Sequence, residues 1–173
     1  MKGYGQFCPV AVACEIVAER WTPLILRELL AGSTRFNQIR QGLPLISRAL
    51  LAQRLHLLEE TGVIQSRARA TGRGREYRLT RAGEALRSIV DGLGAWGQHY
   101  AATQFSPENL DVGLLMFNIK RRVDLSRLPK PRVVVRFELR GVPARCRNMR
   151  TTWVVLEPTG AVLCIKEPGV AGA

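Results

Sequence analysis

The sequence predicts an α+β chain in which helices and one β-hairpin come first and a smaller region, with one helix and an antiparallel β-meander, follows. Three patterns support this prediction. Leucines recur at helical spacing after Ser47, two short strand-like runs follow Gly62, and apolar residues alternate with other residues along 133–139. These periods predict a fold that combines helices with antiparallel strands.

The two regions meet at residues 105–107, where a serine precedes a proline. We therefore expect residues 1–104 and 105–173 to form separate domains, and a chain of 173 residues can hold two small ones. The chain has 26 Lys and Arg against 14 Asp and Glu, a net charge of +12. This excess favours a polyanionic partner.

Four helices are expected before the hairpin, and the first three are short. The first covers residues 9–19, Thr22 caps the second, and the third begins near Arg35. Backbone N–H groups in the first turn of a helix have no partner inside that helix. The start of the third helix, with Thr34 and Arg35, is therefore a candidate to contact a phosphate.

A fourth helix is expected at about residues 47–61, with Ser47 as its cap. Leu51, Leu55 and Leu58 repeat at helical spacing and predict its buried side. The other side carries small and polar residues, which are Arg48, Ala49, Ala52, Gln53 and His56. The pattern indicates an amphipathic helix with an outward face that can approach a ligand closely.

A basic hairpin follows this helix, with its tip at about residues 67–76. Residues 67–81 contain six arginines and one glutamate, and Gly72 and Gly74 permit a tight turn. Thr80 is expected to cap a long helix over 82–101. A helix that can enter a groove, beside a hairpin that can hold a backbone, is the winged helix-turn-helix pattern.

Other classes of protein have little support in the sequence. There is no Cys-x-x-Cys pair, and two histidines cannot complete a zinc site, so we expect no metal and no cofactor. No nucleophile motif or metal spacing indicates an enzyme. No apolar run reaches membrane-span length, which predicts a cytoplasmic, bacterial-type protein with free thiols and no membrane partner.

Several motifs in the first region resemble the HxlR family of regulators. They are Cys8-Pro9-Val10, Arg20-Trp21-Thr22-Pro23-Leu24-Ile25-Leu26, Gly32-x-x-Arg35-Phe36-x-x-Ile39, Ile46-Ser47, Leu51-x-x-x-Leu55-x-x-Leu58-Glu59-x-x-Gly62 and Tyr77-x-Leu79-Thr80-x-x-Gly83. The resemblance covers about residues 7–100. It implies a homodimeric winged-helix regulator that acts on its own or neighbouring promoters. Two features depart from the family pattern: Glu19-Arg20 replaces the more usual Gly-Lys, and the hairpin is richer in arginine and glycine.

The resemblance implies double-stranded DNA as the partner, with the fourth helix in the major groove. Gln53 and His56 are the best-placed base readers, and Arg48 can reach a guanine or a phosphate. Ala49 and Ala52 permit close approach and can meet a thymine methyl. The alternative is a merely solvent-facing side of an amphipathic helix. The neighbouring basic hairpin favours DNA contact for Gln53 and Arg48 and leaves the two interpretations of His56 even.

In the hairpin, Arg69, Arg73 and Arg75 are expected to follow phosphates or to enter the minor groove. The alternative is a hairpin tip that is solvated and disordered. Both interpretations are correct if the tip is disordered in the free protein and becomes ordered only on DNA. Arg67 and Arg78 lie nearer the strands, so we expect them to be structural.

Cys8 precedes the first helix, where a helix dipole can favour a reactive thiolate. Some members of the resembling family use an N-terminal cysteine before Pro-Val to sense oxidants or electrophiles. The structural alternative is a small, partly buried side chain, and we favour it.

Homodimer formation would hold two recognition helices about one DNA turn apart. The first helix and the helix after the hairpin carry the apolar residues for such an interface, and some of these must instead pack within the monomer. The candidates are Val12, Ile16, Leu93, Trp96 and Tyr100.

The second region predicts a helix over 107–122, a strand over 133–139 and two further strands joined by a turn at residues 157–160. This arrangement resembles the opening half of a sterol-carrier-protein-like domain, which would suit a small-molecule effector. A dimer-stabilising appendage is an equal alternative. The arginine-rich segment 140–150 is expected to be a solvated loop. The competing function is a small apolar-ligand or lipid-binding protein that uses its winged helix as an interaction module.

Overall fold

The structure is a computed structural model that describes residues 3–69, 74–104, 106–128 and 131–169. The chain divides into two compact units, Met1–Ala102 and Thr103–Ala173. This division lies slightly before the boundary expected from the sequence. The combination of helices with antiparallel strands confirms the predicted α+β class.

The described residues of the first unit form six helices and a hairpin. The helices are α1 (Pro9–Val17), α2 (Thr22–Leu30), α3 (Phe36–Gln41), α4 (Arg48–Glu60), α5 (Arg81–Ala85) and α6 (Arg87–Tyr100), and strands β1 (Ile64–Ala68) and β2 (Arg75–Leu79) lie between α4 and α5. The two strands are antiparallel, with Ile64 opposite Leu79 and Ala68 opposite Arg75.

The segment before α3 joins the edge of this hairpin. Arg35 forms a β-bridge with Glu76, and the backbone N–H of Tyr77 donates to the carbonyl oxygen of Thr34 at 2.8 Å. These single-residue contacts attach the α2–α3 connection to β2. The sequence analysis did not identify them, because one bridged residue leaves no periodic pattern.

The core of the first unit lies between α2, α3, α4 and β1. Leu51, Leu55 and Leu58 of α4 are buried, which confirms the predicted inner side of that helix. Full burial of each such side chain stabilises the fold by about 1.5–3 kcal/mol. The other buried members of this cluster are Ile25, Leu26, Leu29, Ile39, Leu43, Ile46, Val63 and Ile64.

Two of the three expected caps are confirmed. Ser47 Oγ accepts from the Leu50 N–H at 3.2 Å, and Thr80 Oγ1 accepts from the Gly83 N–H at 3.2 Å. The cap expected at Thr22 is wrong, because Trp21 occupies the cap position with a left-handed φ of 79°. Thr22 is the first helical residue, and its N–H donates to the Glu19 carbonyl at 2.9 Å.

The helix expected over 82–101 is interrupted at Leu86, which separates α5 from α6. The Leu86 N–H donates to the carbonyl oxygen of Gly83 at 3.1 Å, which tightens the last turn of α5. Gly83 lies against β1 and β2: a Cβ there would collide with the Val63 carbonyl oxygen and the Leu79 side chain. The close approach of α5 to the hairpin therefore requires glycine.

The second unit contains α7 (Val112–Arg121) and a sheet of β3 (Val133–Glu138), β4 (Thr151–Glu157) and β5 (Gly160–Cys164). The strands are antiparallel in the order β3-β4-β5, which agrees with the expected meander. The helix expected from residue 107 begins only at Val112, because Asp111 Oδ1 caps it by accepting from the Leu114 N–H at 2.9 Å. A 3-10 turn precedes it.

One face of this sheet packs on α7. Val112 and Met116 of α7 form a cluster with Val154 and Leu156 of β4. The segment expected to be a solvated loop contains a 3-10 helix, Ala144–Met149. There, Arg145 donates to the carbonyl oxygens of Glu108 and Leu110, so this arginine ties the segment to the start of the unit. The resemblance to a sterol-carrier-like domain stays a prediction.

Candidate nucleic-acid interface

The outward face of α4 is continuous and small or polar. Its leucines point into the core, so helical geometry turns the positions between them to the surface. The residues of α4 and its cap that are expected to approach DNA are exposed: Ser47, Arg48, Ala49, Ala52, Gln53 and His56. The helix therefore presents the predicted set together, on the side away from the core.

His56 is less available than Gln53. Its Nε2 lies 3.3 Å from Glu60 Oε1, one helical turn further along α4. The carboxylate gives the imidazole a local partner and places negative charge at this end of the exposed face. Gln53 is therefore better placed than His56 to meet a base edge.

Arg54 lies at the side of the same helix and points back into the unit. Its Nη2 contacts Glu19 Oε2 at 2.7 Å, and its Nε donates to the Arg20 carbonyl oxygen at 3.3 Å. The side chain is only 15% exposed. Sequence reasoning missed this contact, although Glu19 belongs to the dipeptide that departs from the family pattern.

The expected phosphate contact at the start of α3 has a competing partner. Gln38 Oε1 accepts from the backbone N–H groups of Thr34 and Arg35 at 3.2 and 3.1 Å. These two donors are thus engaged within the protein, which removes the physical reason given for a backbone contact there. The exposed Arg35 side chain remains on the surface beside the hairpin.

The wing is the hairpin formed by β1 and β2. The Arg69 N–H donates to the Gly74 carbonyl oxygen at 3.2 Å, which continues the pairing beyond the strands. Arg73 lies outside the described residues. Arg75 Nη2 contacts Glu59 Oε1 at 3.2 Å, so the residue expected on phosphate is paired with the last turn of α4.

Glu59 is an electrostatic centre that the sequence analysis did not single out. The Ser66 hydroxyl donates to it at 2.5 Å and the Ser66 N–H at 3.2 Å. The hydrogen bond from the Ser66 hydroxyl, together with the charge of Arg75, holds the pKa of Glu59 below its ordinary value, against the opposing effect of burial. Burial raises the pKa of the neighbouring Tyr77 above its ordinary value.

Helix α6 carries an exposed apolar stripe. None of its residues, all of which the structure describes, is buried. Its large apolar side chains at spacings of four, three and four are between 50% and 69% exposed, and they are Ile89, Leu93, Trp96 and Tyr100. Three of these are candidates for the dimer interface, and Ile89 extends the set. The rings of Trp96 and Tyr100 lie 5.9 Å apart.

The candidates on α1 differ from one another. Val12 is exposed, whereas Ile16 is half-buried and packs against the core of its own unit. Ile16 therefore has less surface to offer a partner. Val10, also exposed, was not among the candidates.

The four cysteines, all within the described residues, are free thiols. Cys8 is half-buried at the cap position of α1. Cys14 lines a cavity of about 370 Å³ near the start of the chain. The described residues include no cluster of three or more His, Cys, Asp or Glu side chains able to hold a metal ion. Across the same residues, no helix is long and apolar enough to cross a membrane.

The buried leucine side of α4, its exposed polar side and the attached hairpin define the first unit as a winged helix-turn-helix. Comparison with protein families agrees. The chain belongs to the HxlR-like helix-turn-helix family, whose model matches residues 16–105. Its relatives are transcriptional regulators, a class distinct from enzymes.

Two relatives illustrate the match. The uncharacterised HTH-type transcriptional regulator Rv3095 of Mycobacterium tuberculosis is 42% identical over 92 residues, which is 53% of this chain and 58% of the relative. The chain thus spans little more than half the length of its mycobacterial relatives. The HTH-type regulator YvaP of Bacillus subtilis is 35% identical over 102 residues, which is 58% of this chain and 94% of YvaP.

Solved structures show the same fold. The crystal structure of PA1607, a candidate transcription factor, superposes with a TM-score of 0.53 at 33% identity and covers 62% of this chain and 72% of its own. The structure of the redox regulator HypR in its reduced form superposes with a TM-score of 0.51 at 25% identity. The superposition covers 57% of this chain and all of HypR.

Proposed function

We propose that this protein is a sequence-specific, DNA-binding transcriptional regulator that acts as a homodimer. The observation that supports it is the juxtaposition, in one unit, of the exposed face of α4 with the arginine-bearing wing. Family membership supports the same function. A groove-sized helix beside a basic hairpin can meet base edges and phosphates of one duplex at the same time.

Base reading falls to the middle of α4. The Gln53 amide can bond to the N6 and N7 atoms of adenine, and Arg48 can reach a guanine or a phosphate. Ala49 and Ala52 have no side chain beyond a methyl group, so the helix can lie close to the groove floor. His56 is a secondary reader because of its contact with Glu60.

Backbone contact falls to the wing. Arg69 and Arg73, which the sequence assigns to the wing, are the residues proposed to follow phosphates. Each phosphate neutralised adds about 0.9 to the slope of log affinity against log salt concentration. Ser47 and the exposed side chain of Arg35 supply further positions along the same surface, whereas the backbone N–H of Thr34 is engaged by Gln38.

The homodimer is assigned to α6 together with α1. The stripe on α6 repeats with the spacing of a helix–helix seam, and burial of its aromatic residues would remove a large apolar area from water. Leu93, Trp96 and Tyr100 form the main contact, and Val12 adds to it from α1. Two copies related by a two-fold axis would place two copies of α4 on successive half-sites.

A response to oxidants through Cys8, or to another small-molecule effector, is a second and independent proposal. The thiol is partly accessible at the start of α1, and HypR is described as a redox regulator with reduced and oxidised forms. Oxidation at this position would alter α1, one of the two helices assigned to the dimer.

The test measures binding to the DNA upstream of the chain's own coding sequence and to scrambled DNA. Gln53→Ala should reduce the preference for the specific site, because a base contact is lost. Arg73→Ala should weaken binding to both DNAs equally and lower the salt slope by about one unit, because a phosphate contact is lost. Gln98→Ala, on the exposed surface of α6, is the matched control. Unchanged binding in both test variants would contradict the proposed surface.

A further inference from the structure

A single carboxylate oxygen joins the recognition helix to both strands of the wing. Glu59 Oε1, in the last turn of α4, accepts from the Ser66 hydroxyl at 2.5 Å and from the Ser66 N–H at 3.2 Å. The same oxygen lies 3.2 Å from Arg75 Nη2. Ser66 belongs to β1 and Arg75 to β2, so this contact spans the hairpin.

The pairing register explains why Arg75 reaches this carboxylate. Ser66 is opposite Tyr77 and Ala68 is opposite Arg75. Because partners across an antiparallel pair share a face and neighbours along a strand alternate, Ser66 and Arg75 lie on the side that faces α4. Arg67 lies on the opposite side, where it pairs in register with Glu76.

The surroundings favour the ionised carboxylate. The Glu59 side chain is 31% exposed and the Arg75 side chain 57%, so the pair sits at the edge of the surface where solvent screens it only in part. Charge-assisted hydrogen bonds to a carboxylate are shorter and stronger than neutral ones. A carboxylate left unpaired here would instead repel a nearby phosphate.

We infer that Glu59 fixes the position of the wing relative to the recognition helix, and that Arg75 is a positioning residue rather than a phosphate contact. This inference rests on the proposed DNA-binding function. It separates Arg75, which pairs with α4, from the other wing arginines that are proposed to contact DNA. The geometry of the two DNA-contacting elements is then set before DNA is bound.

The experiment measures the dissociation constant for the upstream DNA over a series of salt concentrations. Glu59→Gln and Arg75→Ala should each weaken binding roughly two- to fivefold, the weight of an exposed ion pair, with the salt slope of the wild type. The double variant should weaken binding no more than the stronger single variant, because both changes break one contact. Arg67→Ala is the matched control for loss of a wing arginine from the opposite face.

Two outcomes would overturn the inference. If Arg75→Ala lowers the salt slope by about one unit, Arg75 contacts a phosphate. If Glu59→Gln tightens binding, the carboxylate is only a repulsive charge near the duplex.

A second measurement needs no DNA. Hydrogen exchange at the Ser66 N–H should be faster in Glu59→Ala than in the wild type, and an unchanged rate would also contradict the inference. If the wild type shows no salt-dependent DNA binding, the proposed function fails, while this exchange rate still tests the contact itself.

Discussion

Arg54 of α4 and Glu19 of the connection between α1 and α2 form an ion pair of 2.7 Å beside the exposed face of α4. The Arg54 guanidinium also donates to the Arg20 carbonyl oxygen. These contacts fix the middle of α4 to the N-terminal helices, while Glu59 fixes its end to the wing. Helix α4 is thus held at two points by ion pairs, one through Arg54 and one through Glu59.

Arg54→Ala should therefore destabilise the protein by about 1–2 kcal/mol, because Glu19 loses its partner and a backbone carbonyl loses its donor. Urea denaturation measures this change. Arg48→Ala removes an exposed arginine from the same helix and should stay within about 0.5 kcal/mol of the wild type. Equal stabilities for the two variants would show that the Arg54 pair contributes nothing.

The pKa of Glu59 predicts a specific loss of stability in acid. Folding lowers the pKa of the Glu59 carboxyl below its ordinary value of 4.5. At pH values above 4.5 the ionised carboxylate therefore stabilises the folded state. This contribution is lost as the pH falls below 4.5 and through the pKa of the folded state. Arg75 and His56 supply the neighbouring positive charge. Wild type should lose more stability than Glu59→Gln between pH 6 and pH 3 in urea titrations. Ser66→Ala removes the main cause and should show a smaller loss, whereas parallel pH profiles for all three proteins would contradict the assignment.

The apolar stripe on α6 predicts the oligomeric state. Trp96→Glu should yield monomers in analytical ultracentrifugation, because a charge in the centre of a buried seam is costly. Affinity for a two-half-site DNA should fall at least roughly tenfold with the loss of bivalent binding. Ser88→Glu adds the same charge to an exposed α6 position outside the stripe and should leave the dimer intact. A monomeric wild type would exclude the interface.

Oxidation tests the proposed role of Cys8. Peroxide converts an accessible thiolate to a sulfenic acid and releases water or hydroxide. Wild type should lose DNA affinity after treatment, and Cys8→Ser should not. Cys14→Ser, which removes another partly accessible thiol on α1, should respond like the wild type. The same response in wild type and Cys8→Ser would assign Cys8 a packing role only.

Periodic features were predictable from the sequence, and pairwise ones were not. The leucine spacing identified α4 and its buried side, and Ser47 and Thr80 marked the starts of α4 and α5, because caps and helical repeats are local. The cap at Thr22 was misassigned because a left-handed Trp21 leaves no compositional sign.

The contacts of Arg54 with Glu19 and of Glu59 with Arg75 join residues that are distant in the sequence, so they depend on which residues the fold brings together. Arg75 shows the consequence most clearly. In the sequence it looks like the other arginines of the wing, and only the strand register reveals that it faces α4. Arg145 is a similar case. It contacts the carbonyl oxygens of residues 108 and 110, which are more than 30 residues away in the sequence, so no local pattern predicts these contacts.

Gly83 constrains the base of the hairpin, where it approaches Val63 and Leu79. Since α5 lies directly against the Val63 carbonyl oxygen, any side chain at this glycine would push α5 and the base of the hairpin apart. A displacement at this point would move the hairpin relative to α4, even if the core leucines remain in place. The position of the hairpin is thereby governed in part by a residue that has no side chain.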